Sequence, residues 1–459
     1  MKTETVFRFL LLPVCLLFYN NLRAVTIHVE TAGTLSSLVP ESEKYEITEL
    51  TLTGNLNGLD ILFIREMAGG GYSGGHTGKG KLSILNLADA HIVADNYNEY
   101  YFYQGSSIHY PGFKTSWYTK DNSISGFMFA YCVNLTHITL PNSVTAIECY
   151  AFSACTGLTG IDMPDNVTFP FSEIMIGNFA FQNCTSLTEI TIPDGCPSIG
   201  YGTFHGCSGL ACITIPNSVT SIEYRAFYNC SSLTNITIPN NVTDIKQGAF
   251  YGCTGLIEIT IPDGCTSIAG ETFRDCTRLT SIVIPDNLKE IGTYAFYNCI
   301  SLTSITIPNG VNEIYGYTFY NCINLMEIYV HNDIPPFIAN SSWEYSFSVF
   351  ANVDFVNCKL YVPAGSKDAY KKANRWQLFV NIIEENLTSI PEIHPDNLNI
   401  RPVAGGLSVE TKDTTPIVIY LVSGQKIYQA YVNGIMNIPL NKGVYIVQAK
   451  NKNQKIIIQ

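Results

Sequence analysis

Residues 222–244 read IEYRAFYNCSSLTNITIPNNVTD, and this stretch is one unit of a repeat. Its frame is Ile, three variable residues, Ala-Phe, two variable residues, Cys, two variable residues, Leu, two variable residues and Ile-x-Ile-Pro. Cysteines mark the copies at 132, 155, 184, 207, 230, 253, 276, 299 and 322. The steps are 23, 29 and then six of 23, the 29 being a 23 with six extra residues near Thr168–Ile174. A fixed period of this length indicates a solenoid, in which each coil buries its apolar face against its neighbours.

Local chemistry assigns the parts of the coil. Asn235-Ile236-Thr237-Ile238 alternates polar and apolar and is β-branched, which predicts a short strand. Pro239 ends it, having no N–H to donate, and Asn240-Asn241 suit the turn that follows. The segment from Ile245 through Ala249-Phe250 to Cys253 is too short for an ordinary helix and is read as one helical or 3₁₀ turn. Strands of successive coils then stack in parallel about 4.8 Å apart.

Three inward rows follow from the period. Ile190, Ile213, Ile236, Ile259, Ile282, Ile305 and Ile328 form one, and Phe181, Phe204, Phe227, Phe250, Phe273, Phe296 and Phe319 a second. The repeat cysteines form the third, expected as a packing row of small apolar side chains, with disulfides the alternative that export would allow. Cys149, Cys196, Cys212, Cys265 and Cys358 lie outside that row, and Cys196 and Cys265 stand three coils apart, too far to pair.

The unit AF-x-x-C-x-x-L-x-x-I-x-I-P resembles the leucine-rich repeat of BspA-type surface proteins of Bacteroidetes and of similar treponemal proteins. The segment 29–57, with Asp60-Ile61 and Ile64-Arg65, resembles that family's N-terminal opening, and 81–87 a divergent first strand. Residues 358–365, with Ala369-Tyr370 and Trp376, resemble its closing cap. The resemblance implies a cell-surface or secreted binding protein, several members being associated with adhesion to host matrix proteins.

Beyond a linker at 386–399 holding Pro391 and Pro395, the chain changes character. Strand candidates at 407–410, 416–422, 425–432, 434–440, 443–450 and 455–459, with turn signals Ser423-Gly424 and Asn433-Gly434, predict a small β-sandwich. Residues 396–459 hold seven basic and three acidic residues, net +4. Residues 422–427 and 443–447, with the Lys/Ile ending, resemble the C-terminal sorting domain of the type IX secretion route, which implies passage across an outer membrane.

At the other end, Lys2 and Arg8 precede the apolar run Phe9–Tyr19, and Ala24 offers a small residue for cleavage, the pattern of an export signal. No later segment is apolar over a length that spans a bilayer. The 459 residues carry 26 Lys plus Arg against 38 Asp plus Glu, a formal charge of −12. That balance argues against nucleic acid and anionic membrane as partners. Charged residues make up 14% and hydrophobic ones 46%, enough apolar material for a large core.

Catalytic and metal motifs fail on context. Gly69, Gly71 and Gly74 spell G-x-G-x-x-G inside AGGGYSGGHTGKG, where more glycine follows in place of a helix, so a flexible insertion is expected. Gly78-Lys79 is followed by glycine and not Ser or Thr. A period of 23 is no zinc spacing, and His205 near Cys207 reads as a surface histidine. Asp165, Asp194, Asp263 and Asp286 sit where Asn142, Asn217, Asn240 and Asn309 also occur, after the strand-ending proline, and read as turn residues. The aromatic insertion Tyr97–Trp117 is expected to cap the array rather than expose its rings.

Binding is expected on residues that point out of the coils. On the strands these are Glu189, Thr191, Thr214, Asn235, Thr237, Glu258, Thr260, Glu327 and Tyr329. After the buried Phe they are Tyr228, Tyr251, Tyr297 and Tyr320, a stripe of one ring per coil. The expected fold is an α/β-type solenoid, a leucine-rich-repeat array of 23-residue coils with a parallel sheet, followed by a small all-β sandwich. Its segments are a signal peptide (1–24), an N-terminal cap with divergent first repeats (25–123), nine repeats (124–336), a C-terminal cap (337–385), the linker (386–399) and the β domain (400–459). The expected function is that of a secreted or cell-surface adhesin, not an enzyme, recognising a host matrix or microbial surface protein. Glycan binding is the alternative and glycoside hydrolysis the weaker one. No cofactor, metal or catalytic residue is assigned.

Overall fold

Alternate backbone N–H groups of the turn segment have two destinations, and this decides the shape of the coil. In the coil at 222–244, the N–H groups of Ala226, Tyr228 and Cys230 bond back to the carbonyls of Glu223, Arg225 and Phe227 at 3.1–3.2 Å. Those of Arg225, Phe227 and Asn229 instead reach the next coil, at the carbonyls of Gln247 (3.2 Å), Ala249 (2.8 Å) and Tyr251 (2.7 Å). Arg225 (φ 54°) and Asn229 (φ 57°) adopt left-handed backbone to permit the alternation. The expected helical or 3₁₀ turn is thus a run of tight turns, because a left-handed residue stops a right-handed helix. Each backbone donor from Arg225 to Cys230 is satisfied.

The left-handed positions explain a feature of the sequence. The one before the repeat cysteine is Asn183, Asn229, Asn298 or Asn321 in four coils, Gly206 or Gly252 in two, and Tyr131, Ala154 or Asp275 in the other three. Asn, Asp and Gly accept positive φ most readily.

The computed structural model describes residues 23–72, 77–102, 116–164, 176–339, 349–385, 398–403, 406–421, 426–440, 443–449 and 452–458. Coils stack in parallel register from Ala24–Val29 to Asn381–Glu385. The expected strand ladder is present at Glu189–Thr191 with Cys212–Thr214, at Glu258–Thr260 with Ser281–Val283, and at Ser304–Ile307 with Glu327–Val330. The segment Asn235–Ile238 is not a strand. Its Ile236 and Ile238 nonetheless stay buried, at 8% and 7% exposure, because core packing and the turn-segment bonds hold the coil in place. A second parallel ladder, absent from the sequence reading, joins Ser198–Ile199, Ser221–Ile222 and Asp244–Ile245, and then Ser267–Ile268, Glu290–Ile291, Glu313–Ile314 and Phe337–Ile338.

One continuous core runs from Val29 to Ile382. The phenylalanines stack nearly parallel at 5.3–5.7 Å between centroids from Phe129 through Phe319 to Phe350. At Phe350 the stack ends: Trp376 meets it tilted by 59° and Phe379 by 83°. Trp376 is anchored by Nε1 on the Pro336 carbonyl (2.9 Å) and Tyr370 by its hydroxyl on the Asn332 carbonyl (2.8 Å). The repeat cysteines are buried and free, so the row is packing. Each S–H from Cys155 to Cys322 donates to the Phe carbonyl of the preceding coil at 2.9–3.2 Å.

Helix Gly58–Met67 follows strand Glu49–Leu56, in the second coil from the N-terminal end. Asn57 and Asp60 form its capping box, and buried Asp60 also accepts the N–H groups of Gly33 (2.6 Å) and Leu35 (2.9 Å). Arg65, fully buried, donates to the carbonyls of Phe127, Met128 and Gly71 at 2.7–3.0 Å. The glycine-rich stretch is therefore docked where it leaves the helix, while 73–76 lie outside the described residues. Tyr100 and Tyr101 of the aromatic insertion are buried, Tyr101 stacking on Phe127 at 4.7 Å, a capping role; 103–115 lie outside the described residues. So do most of the export signal (1–22), the six-residue insertion (within 165–175) and most of the linker (386–397).

The C-terminal module has its own core of Ile400, Leu407, Val409, Ile417, Ile419, Ile438, Tyr445 and Val447. Its antiparallel strands are fewer and longer than expected: Leu398–Val403, Gly406–Leu421, Lys426–Pro439, Gly443–Ala449 and Lys452–Ile458. Asn433-Gly434 is not a turn; Gly434 pairs with Thr411 inside a strand, beside a register shift between Thr411 and Thr415. Glycine within a strand commonly marks such an irregularity. Strand Gly406–Leu421 pairs with Leu398–Val403 along its first half and with Gly443–Ala449 along its second, and both halves feed the one core. The second turn signal, Ser423-Gly424, lies outside the described residues.

Candidate binding surface

Period-2 alternation turns the residues flanking each inward Ile toward solvent. Glu189, Thr191, Thr214, Asn235, Thr237, Glu258 and Thr260 are all exposed. The register sets Glu189 beside Cys212 and Thr191 beside Thr214. No side-chain hydrogen bond or ion pair ties down these seven among the described residues.

The two ends of this face are more committed. Toward the N-terminus His137 Nε2 lies 2.8 Å from Asp162 Oδ2, and Thr139 donates to the same oxygen at 3.0 Å. The bond from His137, opposed by partial burial, holds the Asp162 carboxyl below its usual range. Toward the C-terminus Tyr329 is half-buried and stacks on Tyr361 at 4.5 Å and 4°. Its hydroxyl donates to Glu327 (3.0 Å), which lies 4.0 Å from Lys359 Nζ. Burial and the charge of Glu327 push the Tyr329 phenol far up.

The tyrosine stripe lies elsewhere, on the turn segments, and forms a ladder of rings. His205 stacks on Tyr228 at 4.5 Å, Tyr228 on Tyr251 at 4.6 Å, and Tyr297 on Tyr320 at 4.9 Å. The gap in the aromatic series is filled by Arg274, whose guanidinium sits 5.1 Å from the Tyr251 ring and 4.8 Å from the Tyr297 ring. Tyr294 adds a neighbouring pair, stacked on Tyr317 at 4.7 Å and edge-on to Tyr297 at 5.6 Å. The faces of these rings are occupied by one another, so a ligand would meet chiefly edges and hydroxyls. The sequence reading missed His205 and Arg274 as members of this row, although both directly follow the buried Phe.

His205 is thus a stacking residue, and burial, with Arg225 nearby, lowers its pKa. Cys207 gives its S–H to the Phe181 carbonyl. Among the described residues no group of three or more His, Cys, Asp or Glu is placed to hold a metal ion. Asp263 and Asp286 lie exposed in turns after the strand-ending proline, and Asn287 Nδ2 donates to the Asp263 carbonyl at 2.6 Å.

The comparisons with known proteins concern the repeats. A family profile described as BspA type leucine rich repeat region matches in six copies, over residues 122–174, 165–279 and 246–360. Among solved structures, the chain is similar to a leucine rich cell surface protein from Faecalibacterium prausnitzii, at 23% identity over 59% of this chain and 89% of that one, with a TM-score of 0.27. A leucine rich repeat protein of T. pallidum is 27% identical over 44% of this chain and 69% of that one, with a TM-score of 0.26. A leucine-rich repeat protein from Bacteroides ovatus is 23% identical over 60% and 89%, with a TM-score of 0.29. No curated protein matches the chain.

Proposed function

We propose, from the premise that this chain belongs to the BspA-type leucine-rich-repeat family, that it is an exported repeat protein that binds another protein through the outward face of its strand ladder and performs no chemistry of its own. The observation that carries this reading is the row Glu189, Asn235 and Glu258 with its Thr neighbours: exposed, chemically varied, uncommitted to intramolecular partners and set on a regular lattice. A rigid lattice presents side chains at fixed spacing, so a partner is recognised without ordering the surface first. Glu189 and Glu258, three coils apart, lie about 14 Å from one another, within a standard interface.

Export and a surface location belong to the same proposal. They are supported by the basic start and apolar run at Lys2–Tyr19 and by the family. Among the described residues no helix is long and apolar enough to cross a membrane. The C-terminal antiparallel module, with its +4 charge, is proposed as the sorting domain.

The test is a binding screen of the full mature chain, residues 25–459, against immobilised matrix proteins and a glycan array. Saturable binding to a protein, weakened about tenfold in the Glu189→Lys/Glu258→Lys variant, is expected. Protein binding unchanged by that variant would remove the strand face from consideration. Glycan binding lost in Tyr228→Ala/Tyr251→Ala would replace the reading altogether.

A further inference from the structure

A notch interrupts the surface between the second strand ladder and the turn segments. The two preceding coils carry large side chains at both positions after the ladder isoleucine: Glu223 and Tyr224, Lys246 and Gln247. The next two coils carry Ala269-Gly270 and Gly292-Thr293, and the coil after them restores bulk at the first position with Tyr315, followed by Gly316. The loss of bulk over two coils leaves a groove of about 400 Å³. Its length is about 10 Å, two coil spacings. Backbone at Gly270 and Gly292 forms the floor, and Gln247 and Tyr315 stand at its ends. The floor cannot easily be filled at Gly292, where an added Cβ would lie 2.5 Å from the Gly270 nitrogen.

The lining has one sign of charge. Glu271 and Glu290 both border the notch, and no basic residue does. Two cations beside it are engaged: Lys246 holds Asp244 at 2.6 Å, and Arg274 is sandwiched in the aromatic ladder with Asp275 at 3.7 Å; Lys289, next to Glu290 in sequence, is exposed and does not line the notch. Tyr315 directs its hydroxyl to Glu313 (2.6 Å) and toward Glu290 (3.5 Å), leaving Glu290 acceptor capacity. The other lining ring, Tyr294, has Tyr317 stacked on it and the Arg274 guanidinium 5.1 Å away, so it offers a sugar no open platform. Two carboxylates, the Gln247 and Thr293 side-chain oxygens and a short floor suit a planar or tetrahedral nitrogen cation better than a neutral ring.

We propose that this notch is a second binding site, distinct from the strand face, and that it takes the guanidinium or ammonium group of an Arg or Lys side chain in a partner peptide. The aromatic ladder beside it already accommodates a guanidinium of the chain's own, Arg274, between two tyrosines.

The test is a calorimetric or NMR titration of the mature chain, residues 25–459, with an acetylated, amidated Gly-Arg-Gly peptide. Free putrescine and a neutral trisaccharide serve as separate arms. Saturable peptide binding that weakens with added salt is expected. The Glu271→Gln/Glu290→Gln variant, which keeps the backbone and the shape, should lose about tenfold in affinity. Gly270→Gln places in the notch the side chain that the preceding coil carries at Gln247, and should abolish binding. Its Cβ would meet the Thr293 carbonyl at 3.1 Å, a contact that small adjustment relieves, and an unchanged melting curve confirms the fold. No saturable peptide binding, equal binding by the Glu271→Gln/Glu290→Gln variant, or binding of putrescine or the trisaccharide without the peptide would each overturn the proposal.

Discussion

At the residue scale, the repeat cysteine combines small apolar volume with a weak donor. Its sulfur fills the core, and its S–H adds a bond across coils to a Phe carbonyl that already accepts the N–H of its own tight turn. Burial pushes the thiols up, to about 12 for Cys207, Cys253 and Cys322. The thiolate is the reactive form, so the row should be inert. Cys212, by contrast, is exposed on the strand face. Iodoacetamide at mildly alkaline pH is therefore expected to label Cys212 rapidly in the native mature chain, and the row only after denaturation. Mass spectrometry showing row cysteines labelled as fast as Cys212 would contradict the packing role. The asparagine before the cysteine has a second use besides its left-handed backbone. Asn298 donates to Asp275 at 2.8 Å and Asn321 to Asn298 at 2.6 Å, a side-chain ladder across coils that the spacing implied but the sequence reading did not name.

At the element scale, the tyrosine row and its single arginine act as one stacked unit. Arg274 occupies the rung between Tyr251 and Tyr297, which a sequence scan for tyrosines reads as a gap. Arg274→Ala should cost about 1–2 kcal/mol, the worth of partly buried cation–π contacts. Arg274→Tyr should recover most of that loss, since the neighbouring rungs already stack ring on ring. Thermal melts in which the Tyr variant falls below the Ala variant would show that the row is not a stacking ladder. The second strand ladder was legible in principle from the Ile that opens each unit. It was missed because two-residue strands carry no alternation to read. The turn segment was misassigned for a related reason: hydrophobic spacing places Ala, Phe and Cys inward but does not reveal where the intervening N–H groups go.

At the scale of the whole molecule, coils contact chiefly their neighbours, so stability is close to a sum of coil and interface terms. Phe250 stacks on Phe227 at 5.3 Å and Phe273 at 5.7 Å, in the middle of the array. Phe250→Ala should cost the solenoid about 3–5 kcal/mol. Among the described residues the C-terminal module shares no core residue with the solenoid. Its unfolding transition should stay where it is while the solenoid transition moves down. Calorimetry in which both transitions shift together would show that the two cores are coupled. The caps follow the same logic of neighbours. Trp376 and Phe379 cover the last parallel ring, and at the other end Asp60 of helix Gly58–Met67 ties down the first coil at Gly33 and Leu35.

The sequence by itself determined the period, the inward rows and the outward strand columns, because each depends only on residue type at a fixed spacing. Where the strand forms, the proline located its end, as Pro308 does after Ser304–Ile307. Tertiary structure alone decided what depends on two coils at once: the destinations of alternate backbone donors, the absent strand at Asn235–Ile238, the occupied ring faces of the tyrosines and the notch at Gly270 and Gly292. A missing side chain is a feature only when its neighbours across the coil spacing carry one, and that comparison is made in space.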